Sequence, residues 1–291
     1  MIKVLSVIAL FVLFIASATA FNDRALFWQV QSDTAKVYLL GSIHYADESF
    51  YPLRREIEQA FYSSDHLVVE INIDADKAQR YRELMQQKGS YQGEATIRDD
   101  ISGETYRQLQ YRLRRLGVPL DMVHKQKPGM LVLTLTAVQV MKMGFMPELG
   151  IDAYFLKRAV DSKKNIIELE TVDEQMDIFL NVSDGDILLR ETLHSLDEAD
   201  MLMMDMTRCW KRGDEACLEK ILFEDAMTRY PSFIRIYDEL FFKSNENMAN
   251  DIKGFLQGEG TYFVVIGAGH LVGDKGIPVL LRNAGFDVGR M

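Results

Sequence analysis

Apolar and polar positions change period several times along the chain, and the changes mark out its elements. "ALFWQVQ" (25–31), the turn "SDTA" and "KVYLLGSI" (36–43) predict a hairpin. "PLRREIEQAFYS" (52–63) predicts a helix opened by Pro52. "HLVVEINI" (66–73) predicts a strand. Residues 75–146 have mostly helical spacing, punctuated around Gly89, Gly117-Val118-Pro119 and Pro128-Gly129. A helix over 150–161 and a strand over "KNIIELE" (164–170) follow. Residues 172–253 are helical again, broken near Ser183-Asp184-Gly185, Gly213 and Pro231. "TYFVVIGAG" (261–269) predicts a strand, "GIPVLLRNAG" (276–285) a helix and "FDVGRM" (286–291) an edge strand. Strands thus stand at both ends and at two places between, with large helical blocks inserted. That order predicts an α/β fold: a mixed β-sheet core flanked by helices, with a large inserted helical subdomain. The Met-rich "ADMLMMDMTRCW" (199–210) has helical spacing and is expected to be helix core rather than a soft-metal site or an adaptable groove.

The first 20 residues stand apart. Lys3, an apolar stretch from Val4 to Ile15, and Ala18-Thr19-Ala20 have the order of a cleavable export signal. The apolar core is shorter than the ~20 residues that span a bilayer, which disfavours a retained anchor. Phe21, not cysteine, follows the cleavage point, so no lipid attachment is expected. The expectation is an exported protein, periplasmic or secreted, with residues 21–291 as a single domain and no stable membrane insertion after cleavage. The formal net charge of −10, or −11 without Lys3, disfavours a nucleic-acid partner. Cys209 and Cys217 flank "WKRGDEA", which reads as a helix–turn–helix connection; a disulfide and two buried thiols are both open.

Candidate chemistry lies at the strand ends. "KVYLLGSIHYADES" runs from an apolar strand through Gly41 to His44, and "TYFVVIGAGHLVG" repeats that grammar with Gly267 and His270. Glycine permits a sharp turn and close backbone approach, and the histidine is then presented at the carboxyl edge of the sheet, where open α/β folds bind ligands. In the other two internal strands, alternation puts His66, Val68 and Glu70 on one face, and Ile166, Glu168 and Glu170 on one face. A buried charge at such a position needs a metal or a cation beside it. Two histidines with one or two glutamates suit a divalent transition metal, with a position left for water and a spare carboxylate as general base. His66, His124 and His194 are expected to be structural. The chain carries no nucleophile elbow, P-loop or dinucleotide fingerprint.

With these motifs the sequence resembles the TraB/GumN family, which includes the Tiki metalloproteases and is distantly similar to the erythromycin esterase and ChaN proteins. The resemblance rests on "YLLGSIHYA", "LVVEI", "GIDAYFLKRAVDSKKNIIELETVDEQ" and "YFVVIGAGHLVGDKGIPVLLRNAGF", and spans nearly the whole mature chain. It implies a signature of two GxxH motifs with glutamates between, which falls on Gly41 and His44, Glu70, Glu170 with Gln175, and Gly267 with His270. Asp152 matches the aspartate of the family's GxD element. "KSNENMA" keeps Asn245 of the family's Arg-Asn pair but puts Ser244 where arginine usually stands, and Lys243 would lack arginine's planar fork. The resemblance implies an exported metal-dependent hydrolase, a peptidase, using Mn, Co or Zn. His44, Glu70 and His270 would be ligands, with catalytic roles for Glu70, Glu170 and Asn245. Its partners would be a peptide or small-molecule substrate, and a homodimer is among the assemblies allowed. The alternative is a non-catalytic protein of the same fold that captures a peptide, haem or metal.

Overall fold

The computed structural model describes residues 23–182, 184–229, 234 and 237–291. The export signal expected over residues 1–20 and the break expected at Pro231 lie outside them. Six strands form one sheet in the order β4-β3-β5-β2-β1-β6: β1 (Phe27–Gln31), β2 (Ala35–Ser42), β3 (His66–Val69), β4 (Asn165–Glu168), β5 (Gly260–Gly267) and β6 (Asp287–Arg290). β2, β5, β3 and β4 pair in parallel, and β1 runs antiparallel to both β2 and β6, so the sheet is mixed. β2 and β5, inside the parallel set, are buried along most of their length and are near-continuous apolar runs. Because those four strands are parallel and adjacent, their carboxyl ends line up along one edge.

Phe61, Phe155 and Phe263 lock the helices Arg55–Ser63 and Ile151–Ser162 against β5, with ring centroids 4.8–5.6 Å apart. The helix Lys243–Gln257 buries Met248, Ala249, Ile252 and Leu256 in the same core. Between β3 and β4, and again between β4 and β5, long helical insertions build a second cluster around Leu109, Leu113, Leu131, Leu135, Leu189 and Leu193. There Arg112, only 4% exposed, donates to the carbonyls of Leu193 and Leu196 and pairs with Asp197. Its cation thereby meets the orphaned carbonyls at the end of the helix Gly185–Ser195.

The predicted elements differ from the observed ones mainly at their ends. Pro52 does not open a helix: its peptide bond with Tyr51 is cis, and the helix starts at Arg55. The strands expected over 66–73 and 164–170 stop at Val69 and Glu168, so Glu70 and Glu170 lie just past the ladder rather than in it. Cys209 and Cys217 form a disulfide. The Met-rich helix Ala199–Arg212 is core on one side only: Met203 and Met206 pack inward, whereas Met201 and Met204 are each 62% exposed. Among the described residues no helix is long and apolar enough to cross a membrane.

Candidate functional site

His44 follows the end of β2, His270 sits in the short turn Ala268–Leu271 after β5, Glu70 directly follows β3, and Glu170 follows β4. The strand order therefore arrays these groups along one edge as His44, His270, Glu70, Glu170. His44 Nε2 stands 4.0 Å from Glu70 Oε2, and His270 Nε2 stands 3.7 Å from Glu70 Oε1. Glu70 is held in place by the Gly267 amide, which donates to Oε1 at 2.5 Å. The Glu170 amide donates to the Glu70 carbonyl at 2.9 Å, continuing the β3–β4 pairing past the strand ends.

Each imidazole is oriented from its far side. Asn245, fully buried, donates through Nδ2 to the Lys275 carbonyl at 2.9 Å, which leaves Oδ1 to accept from His270 Nδ1–H at 2.6 Å. Asp152, in the first turn of Ile151–Ser162, stands 3.4 Å from His44 Nδ1 and accepts a 2.7 Å hydrogen bond from Ser42 Oγ. An acceptor thus stands behind the Nδ1 of each ring, and both Nε2 atoms face Glu70. This arrangement, an acceptor behind each histidine, is the one that prepares imidazoles to bind a metal. The protein packed around His44 opposes charging its ring, but the hydrogen bond and charge of Asp152, and then the charge of Glu70, raise its pKa to about 9. The His44 side chain is still 53% exposed, so solvent softens these effects. Burial would lift the Asp152 carboxyl; its hydrogen bond and ion pair with His44, with Ser42 behind, hold it low instead.

Glu170 has its own setting. Gln175 Nε2 donates to one carboxylate oxygen at 3.1 Å, and the Ser244 hydroxyl donates to the other. Glu170 and Ser244 line a cleft of about 620 Å³ whose wall includes Glu174, Asp177, Lys243 and Asn247. Glu168, expected to share a face with Glu170, turns away to pair with Lys77 Nζ at 2.9 Å and to accept from the Asn72 amide. His66, His124 and His194 lie elsewhere: His66 contacts Asn165 at the start of β3, His124 hydrogen-bonds the Asp121 carbonyl, and His194 ends the helix Gly185–Ser195.

Two histidines and a carboxylate are a suitable donor set for a catalytic divalent ion. The donors stand slightly apart for it. Ligands ~2.1 Å from a tetrahedral ion are about 3.4 Å from one another, against the 3.7 and 4.0 Å seen here. Among the described residues, accordingly, no three His, Cys, Asp or Glu side chains form a ready-made metal cluster. Each imidazole nitrogen thus stands a few tenths of an ångström farther from Glu70 than two ligands of one such ion would.

Sequence reasoning passed over Ser42 and Trp210. A hydroxyl at a fully buried strand end was the available signal for Ser42. Trp210, buried in the Met-rich helix, donates from Nε1 to the Gly41 carbonyl at 2.7 Å and ties that helix to the strand bearing His44; local sequence contains no sign of it.

The chain matches the family model "TraB/PrgY/gumN family" over residues 26–290. It is 25% identical to the uncharacterized protein YbaP of Escherichia coli (strain K12) over 247 residues, 84% of this chain and 87% of that protein. It is 27% identical to the metalloprotease TIKI1 of Xenopus tropicalis over 187 residues, 55% of this chain and 36% of that protein, and 25% identical to TIKI2 of the same organism over 166 residues. No solved structure matches it. With the family model spanning nearly all of the sheet and its helices, the chain belongs to the TraB/PrgY/gumN family.

Proposed function

We propose that the protein is an exported, metal-dependent hydrolase acting on peptides. The observation that carries this reading is the pair of imidazoles whose Nδ1 atoms are each engaged from behind while their Nε2 atoms converge on Glu70. Distant similarity to proteins named as metalloproteases supports the reaction class. His44, Glu70 and His270 are the candidate ligands. A divalent ion at this position would supply Lewis acidity toward a carbonyl and make water nucleophilic near neutral pH. Glu170, hydrogen-bonded by Gln175 and Ser244 and lining the cleft, is the candidate general base toward attacking water. Asn245 and Asp152 act through the histidines, holding their tautomers and ring planes. The 620 Å³ cleft beside Glu170 is the candidate seat for substrate.

The test is metal content and peptide cleavage of protein purified without a histidine tag, before and after chelation and with Mn²⁺, Co²⁺ or Zn²⁺ restored. Chelation is expected to abolish cleavage and one of the ions to restore it. His44→Ala and Glu70→Ala, shown folded by circular dichroism, are expected to lose most of the rate, since a general base alone contributes ~10²–10⁴-fold and a lost ligand weakens the ion as well. Undiminished cleavage in chelator and in folded His44→Ala overturns the reading. A second reading, a binding protein without turnover, is favoured by Ser244, whose hydroxyl engages Glu170 where a cation would otherwise stand. Tight peptide binding without cleavage under every metal would establish it.

A further inference from the structure

The three candidate ligands are not held alike. The side chains of Glu70 and His270 are only 11% and 12% exposed, whereas that of His44 is 53% exposed. Glu70 is fixed by the Gly267 amide and His270 by Asn245. His44 instead stands in a loop, between the end of β2 at Ser42 and the short turn Glu48–Phe50. Its place therefore depends on how that loop is anchored. Within the loop, the Ile43 carbonyl accepts from the Ile151 amide, and Ala46 pairs with Met146. The two ends are gripped by consecutive residues of the Met-rich helix. Before His44, Trp210 Nε1 donates to the Gly41 carbonyl at 2.7 Å. Beyond it, the Trp210 ring packs against Phe50 with centroids 5.2 Å apart, and Lys211 Nζ donates to the Ser49 carbonyl and to Ser49 Oγ. Successive side chains on a helix diverge by about 100°, which lets two neighbours reach both ends of one loop. The helix end that carries them is itself pinned. Cys209 is bridged to Cys217, and the Lys211 carbonyl accepts from the Arg24 amide at 2.7 Å. Gly41, Phe50 and Trp210 are all buried, so a Gly41 carbonyl that lost the indole N–H would be left unpaired away from water, which is costly.

We propose that Trp210 is a positioning residue for His44. Its N–H fixes the strand end from which the His44 loop departs, its ring and Lys211 fix the end at which the loop returns, and together they set where His44 Nε2 stands relative to Glu70. The inference rests on the reading of His44 as a metal ligand, and the experiment separates the two.

The test is Trp210→Phe in the full mature chain, which keeps a ring against Phe50 and removes the indole N–H. The first readout is the set of ring Cε1–Hε1 cross-peaks in metal-free protein made with isotope-labelled histidine, assigned with His44→Ala and His270→Ala. The His44 peak is expected to shift or broaden, and the His270 peak to stay in place. The second readout is zinc affinity in competition with a chromogenic chelator, expected to fall at least about tenfold, as on loss of a group that orients a ligand. Leu189→Val, in the second core cluster, controls for lost stability and is expected to change neither readout. If Trp210→Phe does not fold, Lys211→Met, which removes the donor to Ser49, takes its place with the same expectations. The proposal is overturned if the His44 peak is unmoved, if the His270 peak moves as much, if Leu189→Val reproduces the change, or if zinc affinity is unaltered. A parent chain that binds no zinc overturns the metal reading alone, and the His44 peak then decides whether Trp210 positions the ring.

Discussion

Gly41 and Gly267 occupy matching places in two motifs, yet different neighbours crowd the space a side chain would need at each. Neither has a positive φ, so close approach rather than backbone freedom is what glycine provides. A Cβ on Gly41 would meet Leu26 Cβ at 3.0 Å and Ala268 at 3.3 Å, all core atoms. A Cβ on Gly267 would instead meet Glu70 Oε1 and His44 Nε2, each at 3.2 Å. Gly41→Ala is therefore expected to destabilise the fold by about 1–3 kcal/mol through overpacking, visible as a lowered midpoint of thermal unfolding. Gly267→Ala is expected to leave that midpoint nearly unchanged and to weaken metal binding, because the methyl enters the space between the candidate ligands. The opposite pattern would mean that Gly267 is structural and Gly41 the residue that clears the site. Asn245 makes a further test. Its loss frees the His270 ring and strands the Lys275 carbonyl, so folded Asn245→Ala is expected to bind metal ~10–100-fold more weakly in competition with a chromogenic chelator. Unchanged affinity would remove Asn245 from the site.

Among the elements, the hairpin of helices Ala199–Arg212 and Glu215–Glu219 does more than fill space. The disulfide Cys209–Cys217 closes it, and Trp210, next in sequence to Cys209, holds the Gly41 carbonyl. The bridge spans a short loop, with a sequence separation of 8, for which chain entropy gives a stabilisation of about 2–3 kcal/mol. The double variant Cys209→Ala, Cys217→Ala is expected to unfold at a midpoint lower by roughly 5 °C, and to respond no further to reductant. A midpoint equal to that of the oxidised parent would show that the helices hold the hairpin unaided. The even spacing of cysteines about a turn left both a bridge and free thiols open; geometry decides between them, since only folding sets the two Cα atoms 5.8 Å apart.

At the scale of the whole molecule, the site exists because four parallel strands stand in the order β4-β3-β5-β2. Residues separated by more than two hundred positions become neighbours along one edge: β2 and β5 pair from Ala35↔Gly260 to Ser42↔Gly267. The export expected from residues 1–20 is likewise tested on the intact chain. N-terminal sequencing of protein recovered from the exported fraction is expected to begin at Phe21, and a start at Met1 would refute cleavage.

Local pattern alone determined where the strands and helices lie, that GxxH occurs twice after matched strands, and that Glu70 and Glu170 close the other two. Those are consequences of side-chain period and of glycine's small size, and both are legible without a partner. Local pattern overestimated strand length at His66–Val69 and Asn165–Glu168, because alternation continues after the ladder has ended. It put Glu168 beside Glu170, whereas Lys77, far along the chain, draws Glu168 away. Tertiary structure decided which nitrogen of each histidine faces Glu70, since that depends on Asn245 and Asp152, which reach the site from helices remote in sequence. It also decided that Trp210 meets the Gly41 carbonyl, since two groups 169 positions apart are brought together by packing and not by a place in a helical repeat.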